Sequence, residues 1–260
     1  MELPDYPTLF WITAALAIVI VGIAKAGFGS GPGLLATPLI ALTIPVAEAA
    51  ALLLPLLIVA DLLTVRHYRH SFDRSNLSIL LPGAMIGIVI GAFFFGYFSD
   101  NERVLEIGMG VLALLFVAFQ SVRAIIFGAL KRYRAPNSVG VALGAMAGFT
   151  STLAHAGGPP AAVYLMPQQL PRHVFVGTTV VFFMSVNVVK LVPYSILGLF
   201  HLGNLLTILI LCPFAFLGVR LGIGLNRRFD EKWFNIIIYS LLFLTGLQLL
   251  VGRSLFSLFS

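Results

Sequence analysis

Charge is what this sequence has least of: 16 basic and 10 acidic side chains are spread over 260 residues. That is too little to cover a soluble globule of this size, and a mean hydropathy of +1.02 places the chain among integral membrane proteins. Cysteine is scarcer still. Cys212 stands alone, so neither an intrachain disulfide framework nor a thiolate metal cluster can form. The first apolar segment has no basic stretch ahead of it. Glu2 and Asp5 precede Leu9, and Lys25 stands at the far end, an arrangement that argues against a cleavable signal peptide. No serine–histidine or paired-carboxylate arrangement falls at one depth, which argues against an enzyme. His67 and His70 have no companion carboxylate cluster, so no metal is expected. Nor is a nucleotide or other cofactor: Lys25 precedes its glycines, whereas a P-loop lysine follows them.

Apolar segments are abundant. Leu77 to Phe98, Val104 to Phe127, Val174 to Pro193, Leu205 to Gly222 and Trp233 to Val251 each approach the roughly 20 residues that cross hydrocarbon as a helix, and Ala47 to Val65 is slightly short. Phe10 to Thr43 and Ser138 to Pro167 are each too long for one span and too short for two full ones. The excess of basic residues lies in three short clusters between apolar segments, around Arg66 to Arg74, Lys131 to Arg134 and Arg220 to Lys232. Such spacing is a topology signal and argues against nucleic acid binding. All three clusters fall on the cytoplasmic side only if each awkward region is counted as two crossings, with the N-terminus outside.

That count predicts an all-α, polytopic membrane protein of about five plus five segments, some of them short broken helices. Residues 1–127 form the first transmembrane repeat, 128–137 a cytoplasmic linker and 138–260 the second repeat. Ala26-Gly27-Phe28 is echoed by Ala147-Gly148-Phe149, and the loop charges of the two halves are reversed, as two repeats of opposite orientation require. The alternative is eight full spans with two half-inserted segments. Glycines 83, 87 and 91, and glycines 140, 144 and 148, have the small-xxx-small spacing of packing faces.

The two halves share a further feature, a run of glycine and proline inside apolar sequence: Gly27 to Gly33 and His155 to Pro160. Proline suits the first turn of a helix and serine can cap it. A helix that starts within the membrane presents free N–H groups and the positive end of its dipole, a setting for an anion. Gly29, Ser30, Gly31, Gly33, Gly157 and Gly158 are therefore candidate substrate-binding positions, with close helix packing as the alternative. Lys25 either complements an anion or snorkels to the interface. Asn187 and Lys190 share a helix face: Asn187 is a site residue or an interhelical hydrogen bond, and Lys190 is a site residue or a snorkelling one. Ser151 and Thr152 can coordinate oxygens or cap a turn, and Thr178 and Thr179 can line a cavity or bond their own helix. His155 is either a proton-sensitive group or a neutral closure for the carbonyls left open by the break. Asp61 is expected to pair with Arg66 or Arg69, with a place in a coupling path as the alternative, and Glu48 to open its helix against the dipole.

Across nearly its whole length the chain resembles the sulfite exporter TauE/SafE family. The resemblance is carried by Thr152-Leu153-Ala154-His155-Ala156-Gly157-Gly158-Pro159-Pro160, then Phe175-Val176-Gly177-Thr178-Thr179, then Asn187, Lys190 and Pro193, and by the Gly27 to Pro38 region. It implies a multi-pass protein of the bacterial inner membrane and secondary transport of small inorganic or organic anions, sulfite and sulfonates among them. Alternating access, with export favoured, is the expected mechanism, a passive anion channel the alternative. The expected partners are the anion and membrane lipid, with proton coupling and the choice between monomer and homodimer left open.

Overall fold

A computed structural model describes residues 5–28, 32–98, 101–130, 135–200, 204–225 and 231–252. The chain is all-α. Helix α1 (Thr8–Ile23) widens into a π turn (Ala24–Phe28), and the chain resumes as a tight 3-10 turn (Pro32–Leu35) leading into the short α2 (Ala36–Ile40). There follow α3 (Val46–Tyr68), α4 (Arg74–Phe98), α5 (Glu102–Leu130), α6 (Asn137–Ala154), the short α7 (Gly158–Leu165), α8 (Arg172–Ile196), α9 (Asn204–Leu225) and α10 (Glu231–Val251).

Proline marks the boundaries. Pro7, Pro45, Pro136 and Pro171 stand immediately before α1, α3, α6 and α8, where the missing N–H would have had no helical partner. Pro55, Pro82, Pro193 and Pro213 lie inside helices. Membrane helices tolerate this because neighbouring elements take up the freed backbone groups.

Among the described residues six segments are long and apolar enough to cross a bilayer: Thr8–Gly27, Val46–Tyr68, Arg74–Phe98, Glu102–Val122, Arg172–Ile196 and Asn204–Leu225, with Ile236–Val251 a shorter apolar helix. The protein is thus polytopic, and α2, α6 and α7 fall outside that set. Large apolar side chains such as Ile12, Phe93, Tyr97, Val192 and Ile196 point outward, as a hydrocarbon solvent permits.

Lipid is as apolar as leucine, so helices associate by close contact of small residues. The two glycine rows anticipated as packing faces meet each other. A Cβ on Gly83 or Gly87 of α4 would overlap the carbonyl oxygens of Val141 or Ala145 in α6, and one on Gly144 or Gly148 would overlap those of Leu80 or Ala84. α1 meets α9 in the same way through Gly22 and Gly218, and Gly27 lies against Gly222. α3 packs against α8 and α9, and α8 also against α4, which brings the π turn, the α6–α7 break and the middle of α8 around α3.

The α4–α6 seam sets a measurable penalty. Gly87→Ala should lower stability by about 1–3 kcal/mol through overpacking, whereas Gly108→Ala, where an added methyl meets nothing, should be neutral or slightly stabilising. Thermal unfolding of the two variants in detergent checks the contrast.

Candidate functional site

The second break is built by the end of α6. Its last turn closes on His155, whose φ of 53° puts a non-glycine residue in the left-handed conformation. The His155 and Ala156 amides donate back to the Ser151 and Thr150 carbonyls at 3.0 and 3.1 Å. Glycine usually fills this capping position because it has no Cβ to crowd the turn. Histidine bears that crowding here, and its ring is used: Nε2 lies 3.0 Å from the Ala50 carbonyl of α3 and Nδ1 lies 2.7 Å from Lys190 Nζ. A carbonyl only accepts, so Nε2 carries a proton. Gly157 then precedes α7, which starts at Gly158 with Pro159 and Pro160 in its first turn, the order expected for a helix start inside apolar sequence.

Lys190, in α8, is fully buried. Its ammonium has three N–H donors, and three acceptors surround it: the Ser151 carbonyl at 2.9 Å, the Ser151 hydroxyl at 3.1 Å and His155 Nδ1. None is a carboxylate. The Ser151 carbonyl belongs to the last turn of α6, the negative end of that helix, and the Tyr194 ring lies 5.9 Å from Nζ, within cation–π range. Tyr194 is tied in turn to the break by donating its hydroxyl to the Thr152 carbonyl at 2.7 Å.

One turn earlier on α8, Asn187 donates from Nδ2 to Asp61 Oδ2 at 2.7 Å, and Lys25 reaches Asp61 Oδ1 at 2.6 Å from the π turn. Asp61 is fully buried and the Lys25 side chain is 12% exposed. The expected pairing of Asp61 with Arg66 or Arg69 is therefore overturned: the carboxylate turns into the bundle toward Lys25, and Arg66 and Arg69 remain outside the cluster. Lys25 is held by an ion pair with a buried carboxylate, a partner that neither alternative set out for it had named, and Lys190 is buried instead of snorkelling to the interface. The first break is bound to its neighbours as well. Tyr68 donates to the Ala26 carbonyl at 3.1 Å, and Thr37 of α2 donates to the Ala154 carbonyl at 3.1 Å, linking α2 to the end of α6.

Lys25, Ser151, His155, Asn187 and Lys190 thus gather about Asp61 and the α6–α7 break. The Thr152 hydroxyl bonds its own helix at the Gly148 carbonyl. Thr178 and Thr179 bond the Val174 and Val176 carbonyls of their own helix, and Thr178 Oγ1 also accepts the Asp73 amide. Thr178 therefore holds α8 to the α3–α4 turn, Thr179 bonds within α8, and neither makes a hydrogen bond to the cluster among the described contacts. Gly33 lies in the Pro32–Leu35 turn; Gly29, Ser30 and Gly31 lie outside the described residues. Sequence reasoning left Asp61 out of the site, because its nearest cations in sequence offered a simpler partner.

A cavity of about 210 Å³ beside the breaks is lined by Leu34, Phe116, Phe119, Met146, Pro159 and Pro160 among others, and is apolar. The charged groups are packed on one another. A second polar group sits at the start of α1, where Tyr6 donates to Glu48 Oε1 at 2.5 Å, with Asn204 Oδ1 at 3.2 Å. Burial, then the Glu48 carboxylate, pushes the Tyr6 phenol above its ordinary range. Glu48 stands in the first turn of α3 as expected. Among the described residues no cluster suited to a metal ion occurs.

The family model described as Sulfite exporter TauE/SafE matches residues 14–249. No curated protein and no solved structure matches the chain.

Removing one member of the buried pair should cost more than removing both. Asp61→Ala strands a buried ammonium and should lose about 3–5 kcal/mol, while Asp61→Ala with Lys25→Met should recover most of that loss. A double-mutant cycle read by unfolding in detergent checks it.

Proposed function

We propose that this chain, which belongs to the sulfite exporter TauE/SafE family, is a secondary transporter that carries a small anion, sulfite, a sulfonate or a related organic anion, across the bacterial inner membrane by alternating access. Its family and its spans make it a multi-pass membrane transport protein and not an enzyme.

One observation carries the anion reading. Lys190 is a buried cation at a helix break, held only by neutral acceptors. Taking a charge out of water costs several kcal/mol unless an opposite charge repays it, and an arriving anion supplies that charge. Gly157 and Gly158 at the start of α7, and Gly29, Ser30, Gly31 and Gly33 of the first break, would add backbone N–H donors. His155, in contact with Lys190, provides a group able to pass a proton. The close packing of the cluster favours a carrier over a passive channel, since a carrier occludes its site between openings.

An inverted repeat supplies the moving parts. Each half runs long, short, long, long, long: α1–α5 and then α6–α10. The packing of α4 on α6 has its counterpart in α9 on α1, that of α3 on α9 in α8 on α4, and α3 meets α8 as α5 meets α10. This reciprocity supports a pseudo-two-fold axis through the cluster, with the halves at residues 1–127 and 138–260. Arg66 in the last turn of α3, Arg69 just after it and Arg74 at the start of α4 support a cytoplasmic position for that turn and an outside N-terminus. An inside-negative potential drives an anion outward by roughly 2.3 kcal/mol per charge per 100 mV, so export needs no further energy source.

Purified protein in proteoliposomes should give saturable flux and counterflow with members of a panel of sulfite, thiosulfate, sulfate, sulfonates and carboxylates. Lys190→Met should cut that flux at least about tenfold, the effect of losing one buried charge-assisted contact. Single-channel currents in place of counterflow would overturn the carrier.

A further inference from the structure

The cluster also has a charge count, and we infer from it that the site is built for a monoanion and discriminates against dianions, with Asp61 setting the valence. This inference rests on the anion-transport reading above and goes beyond it to the class of substrate.

The count runs through three elements. From the π turn comes Lys25, from α3 comes Asp61 and from α8 comes Lys190. Asp61 is already neutralised: one oxygen takes Lys25 at 2.6 Å and the other takes Asn187 at 2.7 Å. Lys190 has all three donors used on the Ser151 carbonyl, the Ser151 hydroxyl and His155 Nδ1, which leaves no N–H for a carboxylate in the resting arrangement. His155 adds no charge to the count. Its Nδ1 accepts from Lys190, so its single proton is on Nε2, facing the Ala50 carbonyl. Were the shared proton to sit on Nδ1 instead, Lys190 would be the neutral partner, and the pair would still hold one positive charge. Two ammonium groups and one carboxylate leave one unit of positive charge uncompensated in a region where Asp61, Asn187 and Lys190 are all buried.

A single negative charge cancels that excess. A second would enter with no cation to meet it, beside Asp61, which is itself an anion, and burying an unpaired charge is what such a region resists most. Lys25 is the point of entry. Its described acceptor is Asp61 and it retains some exposure, which makes it the charged member of the cluster best placed to turn toward an incoming oxyanion.

Asp61 is thus a specificity-determining residue, a role its partners alone do not reveal. Asp61→Asn keeps the shape and the hydrogen bond to Lys25 while raising the excess to two positive charges. It should admit dianions. Moving the carboxylate to the other end of the Asn187–Asp61 hydrogen bond, with Asp61→Asn and Asn187→Asp together, restores the original count and should restore the original preference. A merely structural role for Asp61 would lower all fluxes together and leave their ratio alone.

The test is flux of methanesulfonate against methanedisulfonate, the same headgroup once and twice, in proteoliposomes of the full chain clamped at zero membrane potential. Wild-type protein should carry the monoanion at least about tenfold faster, a ratio within reach of one uncompensated buried charge. Asp61→Asn should narrow or invert the ratio, and the exchanged double variant should recover it. Dianion flux equal to or above monoanion flux in the wild-type protein overturns the inference without any variant having to fold. So does an unchanged ratio in a transporting Asp61→Asn protein. Absence of flux for both probes and for the wider anion panel overturns the transport reading itself, a different failure.

Discussion

Charge buried where water cannot follow is the constraint from which the rest of this structure is organised. Four polar side chains, Lys25, Asp61, Asn187 and Lys190, lie within a bundle whose core is mainly aliphatic and aromatic. Each must find its partners within protein. Satisfying them requires the π turn, α3, the α6–α7 break and α8 to converge, and the glycine seams of α4 with α6 and α1 with α9 allow that convergence by bringing backbones into contact. The seams position the helices, and the polar contacts fix their register.

Both breaks serve the same constraint. An unbroken helix satisfies its own backbone and offers nothing to a ligand. Ending α6 at Ala154 releases carbonyls, and these are taken at once, Thr152 by Tyr194 and Ala154 by Thr37, while the Ser151 carbonyl, already capped by the His155 amide, also accepts from Lys190. The break is therefore held from α8 and from α2. A displacement of either element reaches the Lys190 ammonium through one or two hydrogen bonds, which is the mechanical link that a transport cycle requires.

Much of this was legible from the residues alone. Glycine and proline within apolar runs announced the breaks because both residues are costly inside a helix. Lysine, histidine and asparagine in the same runs announced the cluster because each is expensive in hydrocarbon. The two glycine rows declared themselves by their spacing, though which row faces which required the folded arrangement. Asp61 was misread for a physical reason: Arg66 and Arg69 are its neighbours in sequence, while Lys25 is brought to it only by the packing of α1 and its π turn against α3. Thr178 and Thr179 were equally hard to place, since a threonine that bonds its own helix and one that lines a cavity look alike in sequence. Among the described residues six segments, against an expected ten crossings, have the length and apolarity to span, since hydropathy cannot separate a short crossing from a half-inserted one.

The π turn at Ala24–Phe28 carries a consequence of its own. It accommodates one residue more than an α-helical turn. Were it to tighten into the regular winding, the segment on one side would rotate against the other by about 100°. Lys25 lies within that turn and is the residue that grips Asp61. A winding change of a single residue would thus swing the ammonium from the carboxylate to another face of the helix, so that the Lys25–Asp61 pair depends on this turn keeping its extra residue.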